Sequence, residues 1–312
     1  MSIIPLTQKK RVFLYALLIA LASFAMIRLY YRLTDDFRLA NITDTLNYRP
    51  EWDVEPPTPA EKEKIGTLLK QKYFYIGKGA QSYAFSSEDG QYVLKFFKFK
   101  HLRPSPLYDW MPSWMPFENY RAKQDARKKR KFEGVFSGYH LAYEVNRNES
   151  GLLFVHLNRT LDLFPKVTAV DKIGREHLID LDDVAFLIQV KAETMRTVLH
   201  RLLEEGDIEL AKTRISQIFD LYVSEYKKGI FDHDHGIMHN AGFAENHPIH
   251  LDVGKLKKDE NMKSETYYSE DIALVARRMD KWLKENEPKD YPELAKHIEA
   301  KISKITQAPF KL

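Results

Sequence analysis

The first long apolar block, residues 12–27 (VFLYALLIALASFAMI), carries no charge; Lys9, Lys10 and Arg11 precede it and Arg28, Arg32 and Arg38 follow it. Its sixteen apolar residues, extended toward Tyr31 by a snorkelling Arg28, reach the length of a helix that crosses a bilayer. A cleaved signal sequence is the rival reading, because Ser23-Phe24-Ala25 offers small residues at a cleavage spacing. Residues 33–66 then turn polar and read as a linker. Glu55-Pro56-Pro57-Thr58-Pro59 excludes a helix interior but suits a helix start at Thr58 or Pro59.

Downstream the period changes to that of strands. Tyr73-Phe74-Tyr75-Ile76, Tyr83-Ala84-Phe85 and Tyr92-Val93-Leu94-Lys95-Phe96-Phe97 are short, aromatic and β-branched, separated by glycines and by Glu88-Asp89-Gly90. They predict a three-stranded antiparallel meander. Residues 101–118 are rich in Pro, Trp and Met and too broken for a helix, whereas a basic helix is expected over about 119–145. Leu152-Leu153-Phe154-Val155 reads as a continuation of that helical layer. Lys166-Val167-Thr168-Ala169-Val170 and Val184-Ala185-Phe186-Leu187-Ile188-Gln189 read as strands, the second apolar throughout its middle and so central.

From Glu193 the spacing is helical. Met195, Val198, Leu199, Leu202 and Leu203 form one stripe; Leu210, Ile215, Ile218, Phe219, Leu221 and Tyr222 form another, stopped at Lys227-Lys228-Gly229. Two further helices are expected around 269–285 and 290–305. Strands first and helices afterwards predict an α+β fold with a small β-rich lobe and a helical lobe.

Composition narrows the classes. With 312 residues, 44% hydrophobic and 29% charged, the chain can bury a two-lobed core. A net charge of +4 is too mild to point to nucleic acid. There is no cysteine, which excludes disulfides, thiolate catalysis and cysteine-bound zinc. The run Ala126-Arg127-Lys128-Lys129-Arg130-Lys131, with the tryptophans of 101–118, reads as a surface for an anionic leaflet beside the anchor. Its plain alternative is a solvated helix face.

Candidate chemistry lies in two places. Gly77-Lys78-Gly79-Ala80-Gln81-Ser82 turns one strand back on the next, and glycines there let backbone amides approach phosphate oxygens. Lys95, within an apolar strand, needs an anion such as a phosphate or a helix carboxylate. Far downstream stand Asp232-His233-Asp234, Asn240 and Asp252-Val253-Gly254. Asp252 closes a strand-like segment and suits Mg²⁺ held against a nucleotide triphosphate, Asn240 suits a second oxygen ligand, and Asp234 is the candidate base that orients a hydroxyl. The rival is a histidine metal site, since His233, His235, His239, His247 and His250 crowd the same stretch.

Over roughly 68–285 these motifs resemble the protein kinase-like superfamily. Gly77-x-Gly79-x-x-Ser82-x-Ala84-Phe85 is similar to its glycine-rich loop and Val93-Leu94-Lys95 to its strand lysine. Asp232-His233-Asp234 with Asn240 is similar to its catalytic loop, and Asp252-Val253-Gly254 to its metal-binding triplet. The resemblance implies a bilobal domain that uses ATP and Mg²⁺, with Gln189 and Val190 at the hinge and Glu149 as the partner of Lys95; Glu144 and Glu133 are the other choices. Asp234 and Asn240 are six positions apart where the family has five, Asp232 replaces a histidine, and no Ala-Pro-Glu follows Gly254. These departures exclude an ordinary protein kinase and fit reduced lipopolysaccharide- or small-molecule-kinase-like branches, or a pseudokinase.

The expected organisation is an anchor over 1–32, a linker over 33–66, a first lobe over 67–192 and a reduced helical lobe over 193–312. The expected activity is transfer of the ATP γ-phosphoryl group to a hydroxyl acceptor such as an envelope glycolipid. The alternative is a nucleotide- or protein-binding module tethered at the membrane. ATP chemistry places the domain in the cytoplasm, while the basic residues on the two sides of the apolar block roughly balance.

Overall fold

The computed structural model describes residues 8–44, 46–101 and 117–312. The Pro-, Trp- and Met-rich residues 102–116 lie outside this set, and with them the expected tryptophan surface. The chain begins with α1 (Gln8–Leu33, 26 residues). Its apolar side chains touch little else: Phe13, Ile19 and Phe24 are 70%, 67% and 62% exposed. Among the described residues, this is the one helix long and apolar enough to cross a membrane.

Residues 33–66 are packed rather than loose. Phe37, Ile42, Trp52 and Ile65 join the first core, because each is an apolar anchor set among polar neighbours that reach solvent. The segment includes α2 (Leu39–Ile42) and α3 (Pro59–Leu68). Thr58 caps α3 in a reciprocal box with Glu61, and Pro59 takes the first turn, where its missing N–H costs nothing.

Seven strands form one sheet: β1 (Tyr73–Lys78), β2 (Ser82–Ser87), β3 (Tyr92–Phe97), β4 (Leu152–His156), β5 (Lys166–Val170), β6 (Glu176–Asp180) and β7 (Phe186–Val190). Their order is β4-β7-β3-β2-β1-β5-β6. The meander β1-β2-β3 is antiparallel throughout, as its turns predict. Strand β7 lies between β3 and β4, which explains its apolar interior. The hairpin β5-β6 crosses to the far edge and pairs parallel to β1.

Between β3 and β4 run the long helix α4 (Phe117–Val145) and a single turn, α5 (Arg147–Ser150). The helical layer does not continue through residues 152–155. Gly151 takes φ 62° and ends α5, and Leu152, Phe154 and Val155 then bury themselves as strand β4 against β7.

The helical lobe comprises β8 (Glu193–Thr194), α6 (Met195–Glu204), α7 (Ile208–Lys227), β9 (Ile230–Asp232), α8 (Ile237–Asn240), β10 (Ala241–Ala244), β11 (His247–His250), β12 (Leu256–Lys258), α9 (Glu265–Asn286) and α10 (Tyr291–Ile305). Thr194 and Asp207 cap α6 and α7 through their side-chain oxygens. The predicted stripes of α6 and α7 are buried in a second core with Ile272, Met279 and Ile298. The fold is therefore two-lobed α+β. The division does not follow chain order: Ile230, Val253 and Leu256 belong to the first core, so the chain returns to the sheet lobe late in the sequence.

Candidate active site

That late return builds the site. Strand β12 pairs with β9 and draws residues 252–258 under α4. Gly138 of α4 makes the approach close: a Cβ there would stand 2.5 Å from the Val253 carbonyl oxygen. On the next residue, the Tyr139 hydroxyl donates to Asp252 Oδ1 at 3.1 Å. Burial and then the Asp252 charge raise the Tyr139 pKa well above the usual phenol value, so Tyr139 acts as a donor.

The catalytic-loop segment is fixed from below. The Asp232 carboxylate accepts from the Asp234 N–H at 2.9 Å and from Asn240 Nδ2 at 3.2 Å. His250 Nε2 stands 3.4 Å from Asp232 Oδ2, the oxygen that Asn240 also reaches. Burial raises the Asp232 pKa, but His250 and the two hydrogen bonds outweigh it and hold the carboxyl below its ordinary value. Asp232 is 1% exposed and organises the loop; it is not presented to solvent. Asp234 points outward, its side chain 45% exposed and paired with Lys255 at 2.8 Å. The Asn240 carbonyl accepts from the Asp252 N–H at 3.2 Å, which holds the two candidate metal ligands together.

Behind the loop lies a chain of polar and charged side chains, buried at His250 and Glu225 and reaching solvent at Lys228 and Glu149. His250 Nδ1 donates to Glu225 at 3.1 Å, Asn146 donates to Glu225 at 2.7 Å, and Lys228 bridges Asn146 and Glu149 at 2.9 and 2.6 Å. Burial disfavours a charged imidazole, yet Glu225 and then Asp232 raise the His250 pKa well above 6.5. His250 thus stands between two carboxylates whose charges favour its protonated form.

Gly79, Ser82, Asp234, Asn240 and Asp252 share one cavity of about 750 Å³, closed on its other side by Arg130, Lys131 and Tyr139. The turn itself is tight, with the Gly79 N–H on the Ser82 carbonyl at 3.0 Å. A Cβ on Gly77 would meet nothing within 4 Å, and one on Gly79 only Ser82 Oγ at 3.9 Å. The protein's own packing thus leaves open room beside the turn, as a phosphate cradle requires.

Five predicted residues do not line that cavity: Gly77, at the start of the turn, and Lys95, Glu149, Gln189 and Val190. Lys95 reaches the lobe seam, where its amine donates to the Leu251 carbonyl at 2.8 Å. Desolvation lowers its pKa and the Asp252 charge counters part of that shift. Glu149 is not its partner, because the break after α5 turns that carboxylate toward Lys228. The other choices are spent elsewhere as well: Glu133 pairs with Arg49 and Glu144 with His140. Gln189 is buried and donates to the Ser150 and Leu251 carbonyls at 2.6 and 3.2 Å. The Val190 N–H is bonded to Gly151 at 2.9 Å.

The histidines disperse. His233 and His239 face solvent, His235 binds Asp271 at 2.7 Å, and His250 is enclosed. Among the described residues no three His, Asp or Glu side chains are disposed to hold a metal ion. An Asp252–Asn240 pair remains compatible with Mg²⁺, which is ordinarily held by one or two carboxylates and by the phosphates it accompanies. Tyr139, Gly138 and the Glu225–His250 pair were not singled out from sequence. Tyr139 sits on the same apolar stripe as Phe132, Val135 and Phe136, and nothing in the spacing distinguishes it from them.

No family model matches the sequence, and no curated protein matches it. Among solved structures, the chain is similar to the bifunctional kinase-methyltransferase WbdD at 14% identity and a TM-score of 0.33, over 74% of this chain and 43% of that one. A second WbdD structure gives 13% and 0.34, over 76% and 46%. The chain thus spans less than half the length of the WbdD chains. The ADP-bound aminoglycoside phosphotransferase APH(2'')-Ib aligns at 11% identity and a TM-score of 0.26, over 80% of this chain and 90% of that one. At these scores the likeness says nothing of chemistry, which rests on the residues themselves.

Proposed function

We propose that this chain is a membrane-anchored phosphotransferase that moves the γ-phosphoryl group of ATP to a hydroxyl, with a membrane or envelope glycolipid as the acceptor. One observation carries the reading: a glycine turn, an exposed carboxylate and an Asp–Asn pair line a single cavity at the lobe seam. ATP supplies the phosphoryl group, and Mg²⁺ neutralises charge on its oxygens. Asp252 and Asn240 are the residues to hold the cation. Lys95, outside the cavity lining but within the field of Asp252, adds positive potential toward the phosphates, and the 77–82 turn covers them. Asp234 takes the proton of the acceptor hydroxyl, a role its exposure permits. α1 crosses the bilayer, and the domain stands on the side where ATP is found.

A second reading is a kinase-like binding module without turnover. It is favoured by a Lys95 whose amine rests on a backbone carbonyl, and by a Val190 N–H already bonded inside the sheet lobe. The deciding measurement is thermal stabilisation of the detergent-solubilised full chain by ATP with and without Mg²⁺. The phosphotransferase reading expects a Mg²⁺-dependent shift that Lys95→Ala and Asp252→Ala abolish, together with ADP release. No shift in the wild type excludes both the enzyme and a nucleotide-binding module; a shift without ADP release selects the second reading.

A further inference from the structure

A second cavity, of about 530 Å³, also borders the glycine turn. Lys78, Lys98, Lys100, Lys128 and Lys131 converge on it, and Asp35 stands at its rim. Among the described residues, the carboxylates beside Lys78 and Lys100 are each shared with a second cation. Asp35 is shared between Lys78 and Lys172 at 3.1 and 3.0 Å, and Asp36 between Lys100 and Arg38. Lys98 is 5% exposed; its amine donates to the Gly79 carbonyl and sits 4.3 Å from the centre of the Tyr83 ring. Burial, then Lys100 and Lys78, push its pKa down to about 8, against the opposing charges of Asp36 and Asp35.

The position of the cavity says what ligand would come there. Asp35 follows the last residue of α1 by two positions, at most about 7 Å of chain. The polar layer on each side of a bilayer is about 5–8 Å deep. The junction is not a loose tether. Phe37 is fully buried, its ring 5.2 Å from that of Tyr83 and 5.0 Å from that of Phe85. The Tyr83 hydroxyl donates to the Asp36 carbonyl at 2.8 Å, and that of Tyr75 to Asp35 at 3.0 Å. At the end of the helix, Arg38 lies 4.4 Å from the centre of the Tyr31 ring, in the Tyr-and-Arg belt usual at a membrane interface. A helix fixed this way sets the lysine cavity at headgroup depth.

We propose that this cavity binds the phosphate-bearing headgroup of an anionic lipid in the leaflet that α1 enters. The proposal rests on the reading that α1 crosses the bilayer. Through Gly79, Ala80, Gln81 and Lys131, which line both cavities, the bound headgroup sits one turn of backbone away from Asp234 and Asp252. Lys98 links the two, since it faces the lysine cavity and holds the glycine turn by its carbonyl.

The test uses the full chain in vesicles of phosphatidylcholine, with and without phosphatidylglycerol. Flotation with phosphatidylcholine vesicles after an alkaline wash checks α1 separately; a chain that washes off overturns the anchor. In floated protein, phosphatidylglycerol is expected to slow amide exchange in 78–82 and 127–132 several-fold. The exposed Lys131→Gln is expected to weaken that protection while melting as the wild type does in phosphatidylcholine. Exchange indifferent to phosphatidylglycerol in protein that floats overturns the headgroup site alone. Equal protection from inorganic phosphate in phosphatidylcholine vesicles overturns the lipid as the source of the anion.

Discussion

The Tyr139 hydroxyl donates to Asp252 Oδ1 at 3.1 Å, joining the long helix α4 to the triplet that ends the return of the chain to the sheet lobe. Lys95 receives no glutamate: Glu149, Glu133 and Glu144 pair with Lys228, Arg49 and His140. The helix side of the site is therefore organised around the acid and not around the lysine. Removal of one donor from a charged acceptor costs about 1.5–3 kcal/mol. Tyr139→Phe should lower the urea midpoint accordingly with an unchanged slope, yet keep any Mg²⁺-dependent ATP shift, which Asp252→Asn should lose.

Two glycines of α4 make a matched test of how closely that helix meets residues 253–254. Alanine in a helix gains about 1 kcal/mol over glycine. At Gly134, where a Cβ would meet nothing within 4 Å, Gly134→Ala should raise stability by up to that amount. At Gly138 the new atom would stand 2.5 Å from the Val253 oxygen and 2.8 Å from the Gly254 carbonyl carbon. Overpacking of about 1–3 kcal/mol should outweigh the helix gain there. Equilibrium unfolding of both variants checks the opposite signs; a stabilised Gly138→Ala would mean that α4 stands off the triplet.

The buried His250 should be costly to remove. His250→Asn leaves the Glu225 and Asp232 carboxylates facing each other without a cation, and loss of one partner from a buried ion pair costs about 3–5 kcal/mol. The pH dependence has a definite sign. Because the folded pKa of His250 is raised above 6.5, its stabilisation is complete below 6.5 and is lost only as pH rises through the higher folded value. Denaturant midpoints of wild type and variant should therefore converge on the alkaline side and stay apart at mildly acidic pH.

Lys98 should behave in the opposite way. Its folded pKa, pushed down to about 8 from 10.5, means that the charge is a cost to the folded state below about 8, relieved as pH rises toward 10.5. Relative to Lys98→Met, the wild type should gain stability across that interval. Thermal melts of the two proteins at paired pH values read the difference.

Asp234→Asn separates binding from transfer. Asp234 is exposed and contacts the rest of the loop through its Lys255 pair, so the variant should fold and bind nucleotide like the wild type. Turnover should fall by about 10²–10⁴ if the carboxylate takes the acceptor proton. A variant as active as the wild type would reassign that role.

Local pattern carried much of the architecture. The glycine-punctuated meander, the Thr58 cap of α3, and the 3.6-residue stripes of α6 and α7 are written in neighbouring residues, because turns, caps and amphipathic faces are local events. The two misreadings have local causes too. Residues 152–155 are apolar without period, so helix and buried strand cannot be told apart until Gly151 adopts φ 62° and β7 supplies a partner. Residues 33–66 look like a linker because their buried anchors, Phe37, Ile42 and Trp52, stand alone among polar positions.

The types of group available for chemistry were legible as well: a glycine turn, a strand lysine, and an Asp, Asn, Asp series in chain order. Which of them meet was settled in three dimensions. Glu149 is at a suitable sequence distance from Lys95, but the turn of α5 hands it to Lys228. Tyr139 is one apolar-stripe residue among several until β12 pairs with β9 and brings Asp252 beneath it. Asp232 and Asp234 are two carboxylates two positions apart, one sealed by His250 and Asn240 and the other open to the cavity. A sequence specifies side chains and their local backbone preferences. Partnership between charges more than a hundred residues apart depends on which face each element buries, and only the packing of two cores around one seam decides that.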